Sequence, residues 1–108
     1  MRALLVALLV ALAACTEVET DGPDAQGYTW RRDGPRVDPA NWHYHVVSDG
    51  NVFLHCMFDV KAESCALVRT DGSRCDIYLP AKYAPWRKAH EERHCDGWRH
   101  PDPLRGTT

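Results

Sequence analysis

The sequence predicts a small α+β domain: an antiparallel sheet of four strands, arranged as two hairpins, packed by one helix. Three observations carry this expectation. Val52 to Val60 alternates, with Val52, Leu54, Cys56, Phe58 and Val60 on one face and Phe53, His55, Met57 and Asp59 on the other, which is the period of a strand. Asp-Gly occurs twice between strand-like runs, in Ser48-Asp49-Gly50-Asn51 and Thr70-Asp71-Gly72-Ser73, where it signals a hairpin turn. Good helix formers run from Trp86 through Cys95, between Pro85 and Gly97. Proline suits the first turn of a helix and glycine its left-handed C-terminal cap.

Each element follows in order. Residues 1–14 combine a basic start (Met1-Arg2), an apolar run (Ala3 to Leu12) and a small-residue ending before Cys15. Such a run is too short to span a bilayer and reads as an export signal. Residues 15–39 are polar and broken by glycine and proline, so a flexible tether is expected, with Tyr28 and Trp30 as the residues able to dock onto the domain. The domain itself is expected over residues 40–103, followed by a tail at 104–108. Trp42 to Val47, rich in aromatic and β-branched residues, is the first strand, and Val52 to Val60 the second. Lys61 to Ser64 connect to a second pair, Cys65 to Arg69 and Cys75 to Leu79, with Cys75, Ile77 and Leu79 facing the core. Pro80 ends the fourth strand. A helix of about eleven residues follows, packed through Trp86 and Ala89.

Composition narrows the function. A chain of 108 residues with 13 basic and 15 acidic side chains has room for one domain and no basic footprint for nucleic acid. Apart from Cys15, four cysteines remain: Cys56, Cys65, Cys75 and Cys95. In an exported small protein these read as two disulfides with three possible pairings. A four-cysteine zinc site is the rival, but no Cys-x-x-Cys pair is present. Cys95 is expected to bridge to the sheet, with Cys75 as first candidate.

The chemistry concentrates in His90-Glu91-Glu92-Arg93-His94-Cys95-Asp96-Gly97-Trp98-Arg99-His100. His90 and His94 are four apart on the helix and share a face. Gly97 permits a sharp reversal that brings back His100. Three nitrogen ligands leave a fourth position open, the arrangement of catalytic rather than structural zinc. Glu91 stands next round the helix. The plainer readings are a charged surface helix, or a metal site without catalysis. His43, His45 and His55 lie together across the first expected hairpin; ordinary packing is the favoured reading there, with a second metal site as the alternative. Trp98 is expected as a lid over the helix end, and Asp102 as a group orienting His100 or a turn residue.

Two resemblances add to this. Leu12-Ala13-Ala14-Cys15 resembles the lipobox of bacterial lipoproteins, which implies a diacylated Cys15 and anchoring to a bilayer. Thr16 in the next position resembles lipoproteins of the outer membrane that face the periplasm. The run His90 to His100 has the form H-E-x-x-H-x-x-G-x-x-H and resembles the zincin metallopeptidases, with a metzincin-like extension. That resemblance implies Zn2+ on His90, His94 and His100, Glu91 as general base, and a peptide or protein substrate. It also implies a substrate extended along Asp76-Ile77-Tyr78-Leu79; for Tyr78 and Tyr83 core or rim packing is the favoured reading, with an oxyanion donor as the alternative. No methionine follows His100, so the expected scaffold is a minimal zincin-like one without the methionine turn. A zinc-dependent endoribonuclease family shares the histidine spacing but lacks this Glu, and an export signal argues against it. The expectation from another class is a non-catalytic envelope lipoprotein, a binding or structural module held by zinc or disulfides. A monomer or a complex with an unknown partner protein fits either.

Overall fold

The computed structural model describes residues 17–101. The export segment, the acylation candidate Cys15, Asp102 and the tail lie outside the described residues. Six strands form two sheets: β1 (Thr20–Asp21), β2 (Trp30–Arg36), β3 (Trp42–Val47), β4 (Cys65–Val68), β5 (Cys75–Pro80) and β6 (Asp96–Arg99). The helices are α1 (Val52–His55) and α2 (Pro85–Cys95), with 3-10 turns at Pro39–Asn41 and Asp49–Asn51. Among the described residues no helix is long and apolar enough to cross a membrane.

The α+β class holds, but the single four-stranded sheet does not. One sheet has the order β1-β2-β6 and the other β3-β5-β4. The stretch expected as a tether supplies β1 and β2, and β2 pairs antiparallel with β6, Arg31 opposite Arg99 and Arg32 opposite Trp98. Its glycines and prolines concealed this, because a strand interrupted at Gly34-Pro35 shows no clean alternation.

The first expected hairpin is absent. β3 instead runs parallel to β5, with Trp42 opposite Cys75 and Val47 opposite Pro80. A two-residue hairpin needs positive φ at its first central residue, and in type I′ at both. Neither Asp49 nor Gly50 has positive φ; the turn coils into the 3-10 segment, and Asp49 Oδ1 accepts a hydrogen bond from Ala81 N at the end of β5. Val52 to Val60 is therefore not a strand. Val52 and Cys56 are buried at 2% and 3%, whereas Leu54, Phe58 and Val60 are 46%, 71% and 80% exposed. The alternating set contained an i, i+4 pair, and the chain uses that helical subset alone. The Cys56–Cys65 disulfide closes the resulting loop.

The second hairpin forms as expected. β4 pairs antiparallel with β5, Gly72 takes φ +74°, and Asp71 Oδ1 accepts from Ser73 N. Cys75, Ile77 and Leu79 are at most 1% exposed and form the main core with Val37, Ala66 and Cys95. On the other face of β5, Tyr78 packs against Val52, Cys56, Ala62 and Cys65.

Helix α2 has the expected eleven residues, with Pro85 in its first turn. Its buried residues are His90, Glu91, His94 and Cys95, and Ala89 is exposed, so Ala89 is not the packing contact. The Cys75–Cys95 disulfide fastens the helix end to the middle of the second sheet. Asp96 then begins β6 at once, so the segment toward His100 is a strand. Gly97 has φ +88°, and a Cβ there would lie 2.9 Å from Gly34 O and from Arg36 Cγ. Both the left-handed backbone and the close passage of β2 require glycine.

Candidate metal centre

Three elements deliver three histidines to one point. His90 and His94 stand one turn apart on α2, with ring centroids 5.2 Å apart. Pairing of β6 with β2 carries the chain back over the helix, placing His100 Nε2 3.2 Å from His90 Nε2. One potential ligand atom from each histidine lies within 4.8 Å of the others, the one such group among the described residues. Two nitrogens sharing a tetrahedral zinc at about 2.0–2.1 Å sit about 3.3 Å apart, so the His90–His100 spacing already fits a shared ion.

Backbone carbonyls select the tautomers. His94 Nδ1 lies 3.0 Å from Trp98 O, and His100 Nδ1 lies 3.4 Å from Thr29 O. A carbonyl oxygen only accepts, so each contact holds the proton on Nδ1 and leaves Nε2 with its lone pair. A partner of this kind on the distal nitrogen is the usual support for a metal-ligating imidazole.

The centre is walled by the segment expected to be a tether. Trp30, 1% exposed, packs 4.9, 5.3 and 4.2 Å from the rings of His90, His94 and His100. Tyr28 lies 4.6 Å from His90 and from His100. Asp24 ties this wall together: Oδ2 accepts from Trp30 Nε1 at 3.0 Å, and Oδ1 accepts from Tyr28 N at 2.9 Å. The Arg93 guanidinium lies 4.5 Å from the Trp30 ring and 4.6 Å from that of Trp98. Trp98 thus packs against an arginine of the last turn of α2.

Glu91 is fully buried and adjoins the triad. Its Oε2 accepts from Ser64 Oγ at 2.5 Å, and Ser64 Oγ accepts from Arg87 at 3.2 Å. Its Oε1 lies 3.8 Å from His94 Nε2 and has no hydrogen-bond partner. Burial pushes the Glu91 carboxyl up to about 7, against the opposing pull of the Ser64 hydrogen bond and the Arg87 charge. A carboxylate with that affinity for a proton is suited to general acid–base work near neutral pH.

Cys95 is bridged to Cys75, as expected. Several other candidate residues lie away from the triad. Tyr78 is stacked between His45 and His55 on the second sheet, and Tyr83 lines a surface cleft with Arg87. The tyrosine beside the triad is Tyr28. Asp76 to Leu79 belong to β5, the middle strand of its sheet, with β3 and β4 occupying both edges. That strand has no free backbone for a substrate. A cleft of about 410 Å³ runs instead along β4, lined by His94, Ala66, Leu67, Val68, Gly34 and Pro35. Three consecutive β4 residues point alternately to opposite faces, so a cleft touching all three follows the strand edge. Ser64 and Arg87 were missed. Arg87 had a signal, standing four before Glu91 on the helix; Ser64, distant in sequence, had none.

The chain matches no family model, no curated protein and no solved structure. Its own chemistry has to carry the functional reading.

Proposed function

We propose that this protein is a zinc-dependent hydrolase of peptide bonds, anchored to the bacterial cell envelope through an acylated Cys15, on the side of the outer membrane facing the periplasm. The observation that carries the catalytic reading is the buried Glu91 oxygen lying 3.8 Å from the nitrogen of His94, within a group of three converging histidines. A helix that buries two histidines and a glutamate instead of aliphatic side chains loses hydration free energy. A metal that uses those groups offsets the loss. His90, His94 and His100 would hold the zinc ion, which would supply a water of lowered pKa and a Lewis acid for the scissile carbonyl. Glu91 takes the proton of the attacking water and returns it to the leaving amine. The β4 edge beside His94 offers main-chain hydrogen bonds to an extended peptide.

A second reading has support of its own. His90 and His94 are only 5% and 6% exposed and lie beneath Trp30. A metal there would tie the end of β6 to α2 beneath Trp30, as in a purely structural site of a non-catalytic envelope module.

Elemental analysis of the purified protein is expected to find about one zinc per chain, the content of a single three-ligand site, lost in His90→Ala and His94→Ala. A metal-free wild-type protein sinks both readings. With zinc present, Glu91→Gln is expected to keep the metal and abolish hydrolysis of fluorescein-labelled casein; undiminished hydrolysis removes Glu91 from the mechanism. Cys15→Ser is expected to move the protein from the membrane to the soluble fraction, and retention at the membrane would refute acylation as the anchor.

A further inference from the structure

The two oxygens of Glu91 have unlike surroundings, and the difference has a specific source. A glutamate carboxylate turns freely about its last torsion, and the helix that carries Glu91 does nothing to stop it. The restraint comes from 27 residues upstream, where the fully buried Ser64 donates its hydroxyl proton to Oε2. The direction of that bond is determined. Arg87 donates to Ser64 Oγ, and a guanidinium has no acceptor, so the one proton of Ser64 is left for Glu91. Arg87 is itself held by Glu63. Ser64 is fixed from the other side, because Cys65 is bridged to Cys56 and paired with Tyr78 in the sheet.

We propose that Ser64 is the positioning residue of the metal centre: with Arg87 behind it, Ser64 holds Glu91 so that Oε1 is presented to the side of the histidine nitrogens. This rests on the metal-binding reading of the triad, and it assigns to the turn before β4 a role that the helix motif does not contain. Removing such a support is expected to loosen the metal without removing any ligand. A serine that only fills space beside α2 would affect stability, and its effect on the metal would be independent of the carboxylate.

A double-mutant cycle separates the two, read as zinc affinity by competition with a chromophoric chelator on the full, refolded, metal-stripped chain. Ser64→Ala is expected to weaken zinc binding roughly tenfold. In the Glu91→Ala background the same change is expected to alter affinity by less than about twofold, because the group that Ser64 orients is gone. Wild-type affinity in Ser64→Ala overturns the proposal, and so does an undiminished loss in the Glu91→Ala background. If Ser64→Ala fails to fold, Arg87→Met supplies the same cycle from a partly exposed side chain, with an expected loss of about threefold. Additivity there is equally fatal. A wild-type chain that binds no zinc overturns this proposal together with the metal reading. Zinc binding that ignores Ser64 and Arg87 overturns this proposal alone.

Discussion

The six histidines fall into two sets of three, and among the described residues only one set converges so that it could hold a metal ion. In the first, the His94 ring is turned 74° from His90 and 89° from His100. In the second, His45 and His55 lie nearly parallel to the two faces of Tyr78, at 17° and 12°. An imidazole lone pair lies in the plane of its ring. Planes that cross can bring lone pairs to one point, whereas rings stacked on a common partner keep their nitrogens apart. The environments differ in the same sense: backbone carbonyls meet the distal nitrogens of His94 and His100, while His45 Nε2 pairs with the Asp76 carboxylate. Separation decides between the sets: the rings of the first stand 4.8 to 5.2 Å from one another, whereas Tyr78 lies between His45 and His55.

The comparison can be broken most directly at the ligands. His94→Ala is expected to lower zinc affinity about a thousandfold, given the size of structural zinc binding energies shared among few ligands. His45→Ala is expected to leave it unchanged. Equal losses in isothermal titration would erase the distinction. Next in size is the wall of the first set. Trp30→Ala removes a buried indole and is expected to cost about 3–5 kcal/mol in urea unfolding, with loss of metal. Replacing Cys75 and Cys95 together opens a loop of 20 residues and is expected to cost about 3 kcal/mol. Because Cys95 adjoins His94, metal affinity is expected to fall as well. A variant that loses stability but keeps its affinity would show that the helix end needs no fastening to hold the ligands.

The smallest effect belongs to the second set and depends on pH. The Arg74 hydrogen bond, opposed by burial and helped by His45, holds the Asp76 carboxyl at about 2, below its ordinary 3.8. A depressed carboxyl stabilises the fold above the unfolded value and loses that contribution as pH falls toward the folded one. The stability advantage of wild type over Asp76→Asn should thus shrink between about pH 4 and pH 2. Arg74 is 41% exposed, so solvent screening keeps the advantage below about 1 kcal/mol. Unfolding curves at pH 5 and pH 2.5 measure it, and a constant difference would detach Asp76 from the pair.

What the sequence made legible was local. Pro85, the helix formers and Gly97 bounded α2; Asp71-Gly72 set the β4–β5 turn; alternation in Cys75, Ile77 and Leu79 identified the core face. The histidine spacing supplied the triad, since all three ligands fall within eleven residues. What stayed hidden depended on distant partners. β2 is a strand because β6 lies beside it, and β3 is parallel because the chain after it coils instead of turning back. Val52 to Val60 misled because Val52 and Cys56 satisfy two periods at once. Tyr28 and Ser64 join the centre only through the tertiary fold.

The pairing of β2 with β6 has a consequence for when the centre can exist. Arg32 meets Asp96 across 64 positions, and Thr29 meets His100 across 71. A chain that has not yet reached position 100 lacks the complete triad. Such long-range closure is among the slow steps of folding. A metal held by the three histidines would therefore follow the closing of β2 on β6, and its uptake would depend on the metal supply of the compartment in which that pair forms.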